Sequence, residues 1–194
     1  TRTSFGQVVV VCLLIAINSN CKRSEADTIK DFDGNIYHTT LIGKSRWMTE
    51  NLKTTKYNDS TTIPLVTDNT EWSNLITGGY CWLNNSETQG RATYGALYNW
   101  YTVDTGKLCP TGWHVPTDTE WTTLTSYLGG ASVAGGKLKE IGMGHWGSPN
   151  EGATNESGFT ALASGCRLFN GNPGEPGVFA TGFWWSATKY GDGK

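Results

Sequence analysis

Residues 109–130 read Cys109-Pro110-Thr111-Gly112-Trp113-His114-Val115-Pro116-Thr117-Asp118-Thr119-Glu120-Trp121-Thr122-Thr123-Leu124-Thr125-Ser126-Tyr127-Leu128-Gly129-Gly130. Thr117 and Glu120 have the spacing of a capping box, in which the Thr hydroxyl accepts from the Glu amide while the Glu carboxylate reaches back to the Thr amide. A helix starts there. Trp121, Leu124 and Leu128 recur along one face of it, and Gly129-Gly130 stops it where a left-handed backbone is needed. Just upstream, Cys109–Gly112 is loop and Trp113-His114-Val115 is a short extended stretch. An extended piece leading into a capped amphipathic helix predicts a mixed α+β domain.

Outward from this stretch the signals are short. Asp33-Gly34 and Gly43-Lys44 mark turns around the aromatic and β-branched run Tyr37–Ile42 and around Arg46-Trp47-Met48, which predicts a two-strand hairpin over residues 31–48. Residues 51–79 have the composition of an ordered polar loop. Tyr80–Leu83 reads as a strand closed by Asn84-Asn85-Ser86. Tyr94, Leu97, Tyr98 and Tyr101 match helical spacing, so a helix is predicted over 94–103. A further helical turn is expected at 133–141 with Ser132 as its cap. From Gly142 to Gly182 the chain is rich in Gly, Asn and Pro, with Phe159–Leu162 as its one strand-like piece, and loops of this length are rarely idle in a small domain. Phe183–Thr188 reads as a final strand.

The 194 residues suit one domain. Charged residues are only 16%, against about 25% in ordinary domains, while Trp (9), Tyr (8) and Phe (6) are abundant, which excludes a disordered chain. Lys+Arg 15 against Asp+Glu 17 gives a net charge of -2. No Lys/Arg cluster forms, so nucleic acid is not an expected partner.

The run Val8–Ile17 has the length of a signal-peptide core and is too short for a bilayer span, which takes about 20 residues. Cys21 follows it after Asn18, Ser19 and Asn20. Residues 1–21 therefore read as a lipoprotein-like signal with Cys21 as the acylation site, residues 22–30 as a polar tether and 31–194 as the domain. The expected location is the cell surface or outer membrane, with the membrane touched through lipid alone. Cys12 would leave with the signal, and Cys81, Cys109 and Cys166 remain as disulfide candidates, an odd number.

The stretches Asp33–Tyr37, Trp47–Leu52, Tyr94–Trp100, Cys109–Asp118, Glu120-Trp121, Asn155–Phe159 and Trp184–Ser186 together resemble the Fibrobacter succinogenes major paralogous domain, over about residues 30–190. That family occurs on exported proteins and lipoproteins of Bacteroidetes-type bacteria, and its molecular role is not established. The resemblance implies a C-type-lectin-like fold: small antiparallel sheets, two main helices and a long loop region. It is distantly similar to the formylglycine-generating sulfatase modifiers, whose Arg-Leu-Pro-Thr-Glu-x-Glu-Trp is similar to His114–Trp121. Family members continue into a strand containing Ser-Val-Arg-Cys, so the resemblance implies a missing C-terminal strand, an unpaired sheet edge near the N-terminal hairpin and a lost partner for Cys109; Cys166 could instead pair with Cys81 or Cys109.

Catalytic signals are weak. Asp31–Asn35 opens like a calcium loop, but Ile42 stands where the closing Glu belongs, so a turn is expected. His114, Asp118 and Glu120 are close in sequence, yet capping accounts for Glu120 and the first helical turn for Asp118. No metal site, cofactor or catalytic residue is expected. Trp146, Trp184 and Trp185, beside Asn150, Asn155, Glu156, Glu151 and Tyr190, combine flat aromatic faces with amides and carboxylates, which suits stacking on sugar rings. The expectation is a non-enzymatic surface module binding a glycan or a surface protein. Its alternatives are an enzyme related to the formylglycine-generating group and a purely structural surface protein.

Overall fold

The apolar stretches of this chain are short and broken by turn residues, and they pair as short antiparallel strands in two sheets. The structure, a computed structural model, describes residues 8–15, 28–174 and 179–189. One sheet has the order β1 (Val8–Val9), β7 (Ala96–Tyr98), β6 (Tyr80–Trp82). The other has the order β2 (Leu13–Ile15), β5 (Ser45–Met48), β4 (Ile36–Ile42), β3 (Thr28–Lys30). The expected hairpin is β4–β5, turning at Gly43 with φ of +65°. Asp31 holds the turn before it. Its carboxylate accepts from the amides of Asp33 and Asn35, from Asn35 Nδ2 and from the buried Tyr37 hydroxyl, so its acceptor capacity is spent on the chain.

The seam between the sheets is closed by residues 8–15, and here the structure departs from the sequence reading. Val10, Val11, Cys12 and Leu13 are all but inaccessible to solvent. Val10 and Cys12 point into a core with Tyr37, Met48, Leu52, Tyr98 and Trp185, whereas Val11 and Leu13 point into a second core with Ile42, Trp47, Leu124 and Phe159. Alternation between two buried faces is what an extended segment does, and a strand buried on both faces reads as a continuous apolar run. Length and composition alone do not separate such a strand from a signal-peptide core. Cys12, expected to leave, bonds Cys109, while Cys81 and Cys166 carry free thiols. On the side away from β4, β5 pairs with β2. Thr28–Lys30, read as tether, pairs with β4 as β3. Cys21, Tyr190 and residues 175–178 lie outside the described residues.

The helices follow local rules with one exception. A short α1 (Asn69–Asn74) is capped by Asp68, and α2 (Glu87–Gln89) runs into a wide turn over Gly90–Tyr94. The helix expected over 94–103 is instead β7 followed by a single turn, α3 (Trp100–Val103), capped by Asn99. Gly95 breaks it: its φ is +76°, and a Cβ there would meet Asn51 Cβ at 2.6 Å. The capping box forms as expected and opens α4 (Asp118–Tyr127), which ends at Gly129-Gly130, both at positive φ. The next helix, α5 (Ala131–Leu138), starts two residues earlier than expected, with Gly130 rather than Ser132 at its N-cap. Phe159–Leu162 and Phe183–Thr188 were expected as strands. Instead Ala161 makes an isolated bridge with Lys139, and from the last stretch Ala187 N donates to Pro116 O. Among the described residues, no helix is long and apolar enough to cross a membrane.

Two predictions follow from these elements. The Cys12–Cys109 bond closes a span of 97 residues, so replacing both by Ser should cost about 2–5 kcal/mol in urea unfolding; an unchanged midpoint would show that the bond constrains nothing. Burial pulls the Glu120 carboxyl up, but hydrogen bonds from the Thr117 amide and hydroxyl and from His114 outweigh it and hold the group below its ordinary value of 4.5. That stabilisation is present above about pH 4.5 and is lost as pH falls through the lowered value. Wild type should therefore lose stability against Glu120→Gln on acidification below that point, and a pH-independent difference would contradict the assignment.

Candidate functional site

The long region after α5 is held by side chains bonding to main chain, since it has little ladder of its own. Asn150 Nδ2 donates to the carbonyls of Glu140 and Gly142, both at 2.8 Å, and so ties the 139–151 loop across its neck. Trp146 Nε1 donates to Ala161 O at 2.8 Å, and the Lys139 ammonium lies 5.1 Å from the Trp146 ring centre. His145 pairs with Glu140 at 2.8 Å and stands edge-on to Tyr94. Ile141 and Met143 are exposed on this loop.

Sequence reasoning grouped Trp146, Asn150, Asn155, Glu156, Trp184 and Trp185, and the structure brings only some of them together. Trp146 and Asn150 share the 139–151 loop. Asn155 holds a left-handed turn by bonding Thr160 through both of its amide atoms, and Glu156 is an exposed partner of Lys137. Trp185 is core: its Nε1 donates to Tyr98 O and its ring packs on Trp100. Trp184 donates to Asn51 Oδ1 and packs against Phe159. Trp185 is buried and Trp184 half-buried, and the N–H of each is taken by a partner within the protein.

A concavity of about 320 Å³ opens between residues 81–85 and 165–174. Its inner wall is fixed by Arg167, which is 5% exposed. Nε donates to Gly171 O at 2.9 Å, Nη1 to Val66 O at 2.8 Å, and Nη2 to Thr67 O at 3.0 Å and Asn69 Oδ1 at 2.8 Å. The guanidinium lies 4.3 Å from the Trp72 ring centre, and Trp72 Nε1 in turn donates to Leu168 O. Arginine is suited to this, because a planar fork can satisfy several carbonyls at once. Gly171 must be glycine: its φ is +84° and a Cβ would meet Asn69 Cα at 2.6 Å.

The floor and rim of the cleft are uncharged. Cys81 is buried there, and burial pushes its thiol up, although Arg167 pulls in the other direction; burial likewise pushes up the Cys166 thiol. Both are thiols rather than thiolates at neutral pH, and the thiolate is the reactive form. On the rim, Asn84 and Asn85 stand exposed at φ of 52° and 54°. Consecutive left-handed residues without glycine are uncommon, and Asn tolerates the conformation best. Asn85 Nδ2 donates to Thr67 O, and the Asn69 amide is engaged at both ends, its oxygen by Arg167 and its Nδ2 by Asn172 Oδ1.

Other candidates stay apart. His114 bonds Glu120 at 2.9 Å, and its own backbone pairs with Leu13. His38 bonds Glu50 at 2.6 Å on the outer face of β4. Among the described residues, no group of three or more His, Cys, Asp or Glu converges.

The sequence model of the Fibrobacter succinogenes major domain matches residues 41–194. The chain belongs to this family. No curated protein and no solved structure matches it. Within this Fibrobacter succinogenes major domain, the hairpin strand β5, β6, β7, both main helices and the walls of the cleft all lie inside the matched residues, whereas residues 8–15 and β3 precede them. Arg167, Asn69, Asn84 and Asn85 escaped the sequence reading. Only the Asn84-Asn85 pair gave any signal, and it was read as a turn.

Replacing Arg167 by Met keeps the length of the side chain but leaves its buried carbonyl acceptors without donors. Because each orphaned buried group costs about 1–3 kcal/mol, Arg167→Met should lower stability by at least about 3 kcal/mol and speed the reaction of Cys81 with thiol reagents. Unchanged Cys81 protection would mean that the wall stands without the guanidinium.

Proposed function

We propose that the Fibrobacter succinogenes major domain of this chain is a non-catalytic, glycan-binding module of C-type-lectin-like arrangement, carried on an exported protein. The observation that carries the binding reading is the cleft between residues 81–85 and 165–174. Its shape is held by Arg167, which Asn69 helps to anchor, and its rim carries the exposed Asn84 and Asn85. Amides offer paired donors and acceptors without charge, which suits neutral polyhydroxylated ligands. Arg167 gives no anion preference, because its donors are spent on the wall. Backbone strain at the rim is a mark often found at ligand contacts.

A binding role is favoured over catalysis by the spacing of the reactive groups. The pairs His38–Glu50, His114–Glu120 and His145–Glu140 sit on different elements, each closed on itself, whereas a catalytic site needs a nucleophile, a base and a charge stabiliser around one point. Export is supported by the Cys12–Cys109 bond, since disulfides persist in oxidising compartments. The C-type-lectin-like arrangement is supported by α4 and α5 beside small antiparallel sheets and by the long irregular region that follows.

The test is capture of the folded full chain on an array of plant and bacterial polysaccharides. Saturable binding to a neutral polysaccharide should fall about tenfold, or about 1.4 kcal/mol, in Asn84→Ala, with the melting temperature unchanged and with Trp146→Ala binding as wild type. Loss in Trp146→Ala alone moves the site to the 139–151 loop, and silence across the array from folded protein defeats the glycan reading.

A further inference from the structure

The turn that follows β3 is held by two carboxylates. Asp31 Oδ1 accepts from the amides of Asp33 and Asn35, both at 2.9 Å, and Oδ2 from Asn35 Nδ2 at 2.8 Å and the Tyr37 hydroxyl at 2.6 Å. Asp33 Oδ2 accepts from the Thr55 amide, from Thr55 Oγ1 at 3.0 Å and from Thr54 Oγ1 at 3.2 Å, while its Oδ1 lies 3.4 Å from Lys56 Nζ. Residues 31 and 33 are pinned, and Phe32 between them is turned outward and 54% exposed. A single exposed apolar residue is ordinary, but Phe32 stands at a concavity of about 540 Å³, a size usual for ligand sites. The opposite wall is Pro110-Thr111. It is fixed as firmly: Cys109 is bonded to Cys12 and its carbonyl accepts from Asn58 Nδ2 at 3.0 Å, and Trp113 N donates to Pro110 O at 2.9 Å. Lys30 lies across the turn, where a Cβ on Gly34 would meet its Cε at 3.3 Å. Among the described residues, neither the Lys30 ammonium nor the Thr111 hydroxyl has a hydrogen-bond or ion-pair partner. The concavity therefore offers an aromatic face, a free ammonium and a free hydroxyl, with its carboxylate oxygens already engaged.

We propose that the concavity between residues 31–34 and Pro110-Thr111 binds a hexuronate residue of an acidic polysaccharide, with the sugar ring on Phe32 and its carboxylate on Lys30. This goes beyond the neutral-glycan reading of the cleft, with which the concavity shares no residue. A hexuronate matches the free groups one for one. Its ring has a C–H face that packs on an aromatic plane, its carboxylate pairs with an ammonium, and its hydroxyls exchange hydrogen bonds with Thr111. A neutral sugar leaves Lys30 unpaired, and a carboxylate without a ring leaves Phe32 in water. The wider charge balance favours an anion as well. Three ammonium groups, Lys30, Lys53 over the Tyr37 ring and Lys56 against Asp33, stand around the two carboxylates of Asp31 and Asp33. Both walls are set before the ligand arrives, so little ordering is needed on binding.

The test is titration of the folded full chain, at low salt to limit screening, with polygalacturonate, with its fully methyl-esterified form and with polyglutamate. The expected result is saturable binding of polygalacturonate that falls at least about tenfold in Phe32→Ala, in Lys30→Gln and on esterification of the polymer. Both side chains are exposed, so the melting temperature of the variants should be unchanged. Phe32→Tyr keeps the flat ring and should retain binding, and Ile76→Ala, at an exposed position outside both concavities, should bind as wild type. Polyglutamate bound as tightly as polygalacturonate, or loss in Lys30→Gln without loss in Phe32→Ala, reduces the effect to charge attraction and overturns the proposal. Absence of binding to polygalacturonate, or binding that neither variant weakens, overturns it too. A neutral polysaccharide held through Asn84 tests the cleft alone, so the two readings fail separately.

Discussion

The structure depends on one strand being present at the seam between its two sheets. Burying an apolar side chain of the size of Val or Leu contributes about 1.5–3 kcal/mol, and the segment Val10–Leu13 is buried throughout. Summed over the segment, that is comparable with the whole net stability of a typical domain, about 5–15 kcal/mol. The strand also supplies the main-chain partners of Met48 and Leu52 and of the distant His114, which sit on two separate stretches of the chain. Take it away and the cores around Tyr98 and around Trp47 both open at once. The disulfide to Cys109 reinforces the strand at its centre, immediately before the loop that leads to α4.

What could be read from the sequence was local, and what could not was set by long-range partners. The capping box of α4 was legible because Thr117 and Glu120 satisfy each other within one turn, wherever that turn ends up. The β4–β5 hairpin was legible for the same reason, through its turn residues. Residues 94–103 were misread because Tyr94, Leu97, Tyr98 and Tyr101 match helical spacing by coincidence. The backbone decision is taken at Gly95, where closeness to Asn51 demands a residue without a side chain. The cysteine pairing was misread because assigning Cys12 to a departing signal removed it from the count before any geometry was considered. A short apolar run serves equally as a signal core or as a strand buried on both faces, and only its neighbours decide.

The candidate site divides along the same line. Tryptophans on a loop-rich chain suggested stacking faces, yet Trp184 and Trp185 are held inside by their N–H groups. The residues that shape the cleft carried no pattern at all. Arg167 looks in sequence like any isolated basic residue, and its role arises because Val66, Thr67, Asn69 and Gly171 bring their oxygens to one place. A buried cation held by carbonyls rather than by a carboxylate cannot be anticipated from charge patterning, which looks for opposite signs.

This mode of holding the loops bears on what the fold can do. In a ladder, each residue's backbone bond depends on the register of its neighbours, so an insertion disturbs every pair beyond it. Here the 139–174 region is fixed by point attachments: Asn150 at the neck of one loop, Trp146 to Ala161, Asn155 to Thr160 and Arg167 across the cleft. Segments between such attachments can change length and composition while the attachments and the two cores stay in place. A cleft whose inner wall is anchored by Arg167, and whose rim is built of exposed Asn side chains, therefore separates the residues that hold the shape from those on the surface that can vary. Binding specificity can change on such a surface without cost to the sheets. Catalysis has no such freedom, because its groups must converge on a reacting atom.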